Sequence, residues 1–427
     1  MMGRRRAGVL TRCSLRQQGR TPAEWPNPID PFSKQKVRAV TAGEIVIRPV
    51  SGKAGRAEFV DLGRAFAQAE PHSVPQLRSE QLELVDPDRN PFFGHARVDL
   101  FIAYRGDRPV GRISAHIDEL ALELPREQGM GPGTGLFGYF DAEDEEVAHA
   151  LLAHAEAWNR AQGMMRLLGP ISLSIWEEPG LLVKGQDHSP TMLMGHHPAR
   201  YRGWIESAGF SPAKSLLTYE LDITQEFPPL IRRIVQSGER NDRITVRPVD
   251  KANWDADLAI VLAILNDAWS DNWGFVPFTD REIAYAAKKM KPIVHERLNM
   301  IAEVDGEPVA FMLTFPDMNK VLKQINGRLL PFGWLRMLRW LKKPMGADMR
   351  VPLMGVRREL QNSRMASQLA FMMIERIRRN ATQDFKSVRG EIGWILDDNK
   401  GMLAIADAIE SRVNREYIVF EKAIEGN

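Results

Sequence analysis

The chain has a single cysteine, Cys13, in 427 residues. That excludes a disulfide framework and a cysteine-based metal site, and it fits a reducing compartment. No apolar run approaches the ~18 residues of a membrane-spanning helix, so the expected location is the cytoplasm. Charge of one sign is scarce too: 57 Lys and Arg against 55 Asp and Glu leave a net +2. Such a balance gives no global attraction to nucleic acid, and any electrostatic role must come from local clusters. The composition, 44% hydrophobic and 26% charged, is that of a globular protein. At this length two domains are expected rather than one core.

Other signals are missing. The opening "MMGRRRAGVLTRCSLRQQGR" carries six Arg and no acid, and it lacks the apolar centre of a secretory signal. Residues 1–40 read as a disordered basic tail, with a misassigned start or a transit peptide as the alternatives. His196 and His197 are adjacent, but no third ligand stands at a recognisable spacing and there is no His-Glu-x-x-His, so no metal is expected. "GPGTG" at 131–135 lacks the lysine of a phosphate-binding loop.

What is present is a repeat. "EIVIRPV" at 44–50 returns as "RITVRPV" at 243–249, so Pro49 pairs with Pro248, 199 positions on. "LFIAYRGDRPVGRISAHID" aligns with "NMIAEVDGEPVAFMLTFPD" at the same offset, with Ala103 on Ala302 and Pro109 on Pro308. Each half reads as a β-branched strand, helical sequence, a hairpin turning at "RGDRP" or "VDGEP", a further strand and an amphipathic helix. Another strand, a last helix and a closing strand finish the unit. The fold class is α/β (α+β): two tandem units, 41–225 and 226–427, each a mixed, largely antiparallel twisted sheet flanked by helices.

After its fourth strand, at "LMGVRRELQNSRMA", the second unit has a loop and helix start that resemble the coenzyme A loop of the GNAT acyltransferase superfamily. "EIGWILDDNKGM" matches that superfamily's fifth strand and helix start. The stretches "SEQLELVDPDRNPFF", "NDAWSDNWGFVPFT" and "LTFPDMNKVLKQINGRLLPFGW" look similar to a narrower group, the bacterial tandem-GNAT N-acyltransferases that include bacterial ceramide synthases. The resemblance covers 43–424. It implies that a pantetheine arm lies between splayed fourth and fifth strands, with Met354, Gly355, Val356, Gln361, Asn362, Ser363, Arg364, Met365, Ala366 and Asn399 on the donor. The first unit carries only a degenerate motif.

The physics of that loop is plain. First-turn N–H groups of a helix lack intrahelical partners and carry the positive end of its dipole, so they receive phosphate. Asn362 and Ser363 are good N-caps. Arg364 stands where the family has glycine: it either turns outward and adds charge to phosphate binding, or closes the pocket.

Acyl transfer to an amine needs a base for the amine, polarisation of the thioester carbonyl and a proton for the leaving thiolate. The family's usual tyrosine position aligns with Ala406, which leaves Tyr417 as the nearest replacement. Glu391, in a strand with alternating apolar neighbours, faces either solvent or the cleft. Asp317 is a turn residue or a functional carboxylate at the end of the hairpin. Asn272, Trp273 and Phe275 either wall the substrate channel or pack a core. Glu177 and Glu178 follow the fifth strand of the first unit.

From 318 to 346 the chain has seven Lys or Arg and no acid. On a helical wheel of "WLRMLRWLKK", Trp334, Met337, Leu338 and Leu341 share one side, opposite Arg336, Arg339 and Lys343. Such a helix either lies in a membrane interface or packs over the second unit with a solvated basic face. The expectation is an N-acyltransferase using acyl-CoA or acyl carrier protein and an amphiphilic amine such as a sphingoid base, with no tightly bound cofactor. Residues 328–343 would meet the inner face of the cytoplasmic membrane. The alternatives are an aminoacyl-tRNA-dependent transferase and a non-catalytic acyl-CoA-binding scaffold.

Overall fold

A computed structural model describes residues 43–424. The basic tail and Cys13 lie outside the described residues.

The first half contributes β1 (Ile45–Pro49), α1 (Gly52–Ala69), α2 (Arg78–Leu84), β2 (Ala96–Arg105), β3 (Arg108–Asp118), α3 (Glu119–Leu122), β4 (Thr134–Ala142) and α4 (Glu145–Ala161). Then come β5 (Arg166–Gly169), the small ladder of β6 (Ile171–Ser172) with β7 (Glu178–Pro179), β8 (Leu181–Lys184), α5 (Arg200–Ser207) and β9 (Ser211–Asp222). The second half begins with α6 (Pro229–Glu239), β10 (Ile244–Pro248), α7 (Trp254–Trp269), α8 (Asp280–Met290), β11 (Met300–Val304) and β12 (Glu307–Pro316). It continues with α9 (Asn319–Gln324), α10 (Gly333–Lys342), β13 (Met349–Val356), α11 (Arg358–Gln361), α12 (Arg364–Phe385), β14 (Arg389–Leu396), α13 (Lys400–Ala408) and β15 (Arg412–Ala423).

The repeat is visible in strand register. Ile47 pairs with Ala103 across β1 and β2, and Val246 with Ala302 across β10 and β11. The expected hairpin at "VDGEP" forms: Asp305 and Gly306 both have positive φ, 54° and 85°, as a two-residue turn matched to strand twist requires. Each half wraps its core on one long helix. Asp144 caps α4 by accepting from Val147 N at 3.0 Å, and Val147, Leu151, Ala155 and Trp158 line its buried side at i+3 and i+4 spacings. In α12 the corresponding stripe is Leu369, Met373, Ile377 and Ala381.

The closing strands depart from the sequence reading, in which each finishes its own unit. Thirteen strands form one sheet, ordered β1-β2-β3-β4-β5-β15-β9-β14-β13-β12-β11-β10 with β8 also on β15. The last strand of each half thus pairs with the fifth strand of the other: β15 with β5, β9 with β14. β9 and β15 pair with each other at the centre. Two near-identical edges can exchange closing strands without losing a ladder, and the exchange leaves no exposed edge between the halves.

Candidate active site

The fourth and fifth strands of each half run parallel for three residue pairs and then part. In the first half the ladder is Thr134–Leu136 on Arg166–Leu168. Beyond it β6 folds into the gap. A Cβ at Gly138 would lie 2.1 Å from the Ile171 carbonyl oxygen, and Tyr139 N donates to Ser172 Oγ at 3.1 Å. The chain itself therefore closes the opening between these strands.

In the second half the ladder is Met349–Val351 on Gly390–Ile392, and the gap beyond stays open. It forms an apolar cleft of about 800 Å³, counting its solvent-open mouth. Val351, Pro352 and Met354 make one wall, and Ile392 to Leu396 make the other. Asn399 and Met402 lie at the start of α13, where Asn399 Oδ1 accepts from Met402 N at 3.1 Å. Gly393 is required in that wall: a Cβ there would come within 2.8 Å of the Leu217 carbonyl oxygen.

The far side of the cleft is aromatic. Asn272, Trp273 and Phe275 follow α7 and line it, and Trp176 crosses from the first half to join them. Trp176 stacks on Phe278 at 4.2 Å and on Trp269 at 6.0 Å, and meets Phe275 edge-on at 5.6 Å. Indole N–H groups are satisfied on backbone carbonyls, Trp176 on Val276 and Trp269 on Met354. Ile175 and Trp176 belong to "SIWEEP", whose place in the second half's cleft follows from the strand exchange. No local signal in the sequence announces it.

Of the expected donor residues, Met354 and Asn399 line the cleft. Gly355 is packed against Phe311 and Ala268, and Val356 continues the ladder opposite Ala310. Gln361 ties the loop down by donating to the Ala268 and Val356 carbonyls, each at 3.0 Å. Ser363 is the N-cap of α12, with its Oγ accepting from buried Ala366 N at 3.3 Å. Asn362 and Arg364 are exposed and Met365 is half-buried, so the guanidinium of Arg364 points outward rather than filling the cleft.

The expected catalytic groups lie elsewhere. Glu391 faces neither solvent nor cleft. It directly precedes Ile392, so strand alternation turns it to the opposite face, where it is buried beside Arg350. Asn414 Nδ2 donates to its Oε2 at 2.6 Å, and Thr191 Oγ1 donates to Oε1. Burial pushes its pKa up, but Arg350, these hydrogen bonds and Arg415 outweigh burial and hold it below the ordinary carboxylate value. Asp317 is also buried, accepting at one oxygen from Met192 N at 2.8 Å and Asn319 N at 3.1 Å. Burial pushes it up to about 7, against those two hydrogen bonds and with help from Asp348 and Glu391.

Tyr417 is buried as well and donates to the Gly195 carbonyl at 2.9 Å; burial raises its pKa above the usual tyrosine range. One loop of the first half thus grips all three groups: Thr191 holds Glu391, Met192 holds Asp317 and Gly195 holds Tyr417. Sequence reasoning had no access to Arg350, Thr191 or Met192. A further carboxyl raised to about 7, chiefly by burial, is Glu177, in the turn that carries Trp176.

The sequence matches no protein-family model. It is 38% identical over 385 residues to the bacterial ceramide synthase of Caulobacter vibrioides (strain NA1000 / CB15N), covering 90% of this chain and 99% of that protein. It is 33% identical over 381 residues to protein YghO of Escherichia coli (strain K12), covering 89% and 95%. Among solved structures, a tandem GNAT protein from the clavulanic acid biosynthesis pathway superposes with a TM-score of 0.53 at 12% identity, covering 90% of this chain and all of that one. That likeness bears on fold alone. With 38% identity over nearly all of both chains, this protein is an acyltransferase of the family that includes the bacterial ceramide synthase, and its duplicated sheet has the tandem GNAT fold.

Proposed function

We propose that this N-acyltransferase moves a long acyl chain from acyl-CoA or acyl carrier protein to the primary amine of an amphiphilic acceptor, with a sphingoid base as the specific candidate. The observation that carries the reading is the open, almost wholly apolar cleft between β13 and β14. An acyl chain and the methylene-rich pantetheine arm gain from such a lining, whereas a short polar acyl group would not. The donor's phosphates rest on the first-turn amides of α12 near Ser363, with Arg364 adding charge from outside.

The reaction joins the amine nitrogen to the thioester carbonyl carbon and breaks the carbon–sulfur bond. One amine proton goes to base and one proton returns to the thiolate. Glu391 keeps Arg350 neutralised beneath the point where the strands part, and Tyr417 fixes the covering loop. Asn272, Trp273 and Phe275 bound the acceptor side. The relative named as a bacterial ceramide synthase supports the choice of acceptor.

The test is incubation of the full chain with palmitoyl-CoA or palmitoyl-acyl carrier protein and sphinganine, with mass spectrometry of the lipid product. An N-palmitoyl product is expected, and Met402→Trp, which narrows the cleft, should raise KM for the C16 donor about tenfold while sparing a C4 donor. Absence of product from both donors across a panel of long-chain amines removes the proposal. Indifference of the C16 donor to Met402→Trp removes the cleft assignment alone.

A further inference from the structure

The helix at 333–342 is amphipathic in a way the wheel only half describes. Met337 is buried, with Trp340 and Leu341 half-buried beside it, against Val74, Val321, Leu322 and Ile325. Backbone contacts clamp the insert to the first half. Arg64 donates to the Asn326 carbonyl at 3.4 Å, and Gly327 lies so near the Gln76 carbonyl that a Cβ there would approach to 2.4 Å. The insert is therefore held in place by one face, and its other apolar side chains have no room in that contact.

Those side chains point to water. Leu330 is 78% exposed, Phe332 75%, Trp334 49% and Leu338 45%, with Leu335 and Met345 close behind. Of the ten large exposed hydrophobic residues among the described ones, six lie between 330 and 345. Single exposed apolar residues are ordinary; a contiguous patch of this kind marks an interaction surface. Around it stand Arg328, Arg336, Arg339, Lys342 and Lys343, all exposed, and none forms an ion pair among the described residues. No acid occurs from 318 to 346.

We infer that residues 328–345 are a docking surface for an anionic lipid bilayer. Leu330, Phe332, Trp334 and Leu338 enter the headgroup boundary, and the five cations meet lipid phosphates. A ten-residue helix of about 15 Å lies in the interface rather than crossing it, and no helix among the described residues is long and apolar enough to cross. Charge complementarity selects lipid over a second copy of the chain, whose matching patch would bring five cations against five. The inference is independent of the acyl-transfer reading, which can fail with this one intact.

Flotation of the full chain with phosphatidylcholine vesicles, with and without 30 mol% phosphatidylglycerol, tests it. Binding to the anionic vesicles is expected, weakening severalfold between 50 and 300 mM salt. Phe332→Glu with Leu338→Glu should reduce bound protein at least tenfold, with an unchanged circular dichroism spectrum and melting temperature. Arg336→Gln, Arg339→Gln and Lys342→Gln together should abolish the preference for phosphatidylglycerol. No flotation with either vesicle overturns the proposal, as does equal binding by the double glutamate variant. A dimer in gel filtration that the glutamates disperse, without any flotation, overturns it in favour of self-association.

Discussion

Arg350 and Glu391 stand directly opposite each other in the three-pair ladder of β13 and β14, with Nη1 3.9 Å from Oε1 and each side chain 1% exposed. Arg350 Nη2 reaches Met194 Sδ, while its Nε and Nη1 have no hydrogen-bond partner. The ion pair is thus sealed and only partly satisfied, so its integrity depends on both charges being present.

Removing one charge should be costly. Glu391→Gln leaves a buried guanidinium uncompensated, and a loss of about 3–5 kcal/mol is expected in urea denaturation at pH 7. Arg350→Met added to it should recover most of that. Because Glu391 is held below its unfolded pKa, the stability it contributes is present above about pH 4.5 and is lost as pH falls through its folded value. An Glu391→Gln protein as stable as wild type would mean the pair is hydrated in solution.

Asp317 has the opposite sign. Its folded pKa of about 7 lies above the unfolded value of 3.8, so wild-type stability declines as pH rises from about 4 through 7. Asp317→Asn keeps an oxygen for Met192 N and Asn319 N but has no charge to desolvate. At pH 8 it should be more stable than wild type by at most about 4 kcal/mol, with no difference below pH 4. Because the Asp317 carboxyl lies outside the cleft lining, the variant's acyl transfer near pH 7 should be little changed. A hundredfold loss with stability intact would instead make Asp317 the base, to be compared with Glu177→Gln.

Arg364 and Ser363 separate phosphate recognition from the cleft. Arg364→Glu should raise KM for acyl-CoA about tenfold, more at low salt, and leave acyl-pantetheine, which has no pyrophosphate, unchanged. Ser363→Ala should cost about 1 kcal/mol of stability through the lost cap. Equal effects on both donors would place the phosphates elsewhere.

His95 links the halves. Its Nδ1 meets Asp118 Oδ1 at 2.9 Å and its Nε2 meets Glu282 Oε1 at 3.1 Å. Burial opposes its charge, but the two carboxylates outweigh burial and bring its pKa to about 9. The stabilisation is fully present below pH 6.5 and is lost as pH rises through 9. His95→Gln should therefore lower the melting temperature at pH 6 and have little effect at pH 10.

Much of this was legible from residues alone. Spacing revealed the duplication, because Ile47 with Ala103 and Val246 with Ala302 keep one register. "VDGEP" announced its turn, and Ser363 its cap. The cleft's own strands, with Met354 in one of them and Asn399 capping the helix after the other, followed from the family likeness. Glu391 was misread because alternation gives two faces and cannot say which is covered. The cover comes from 190–195, about 200 residues earlier, and no local pattern encodes a contact made by strand exchange. The wheel of 334–343 likewise gave an apolar side but not its division between Met337, which packs inward, and Leu338, which does not.

The central crossing of β9 and β15 has a genetic corollary. A stop codon placed before position 412 would remove one of the two neighbours of β5, so damage at the end of the reading frame would be felt in the half translated first. Neither half can be excised as a minimal catalyst, since each would leave the ribosome with a borrowed strand missing.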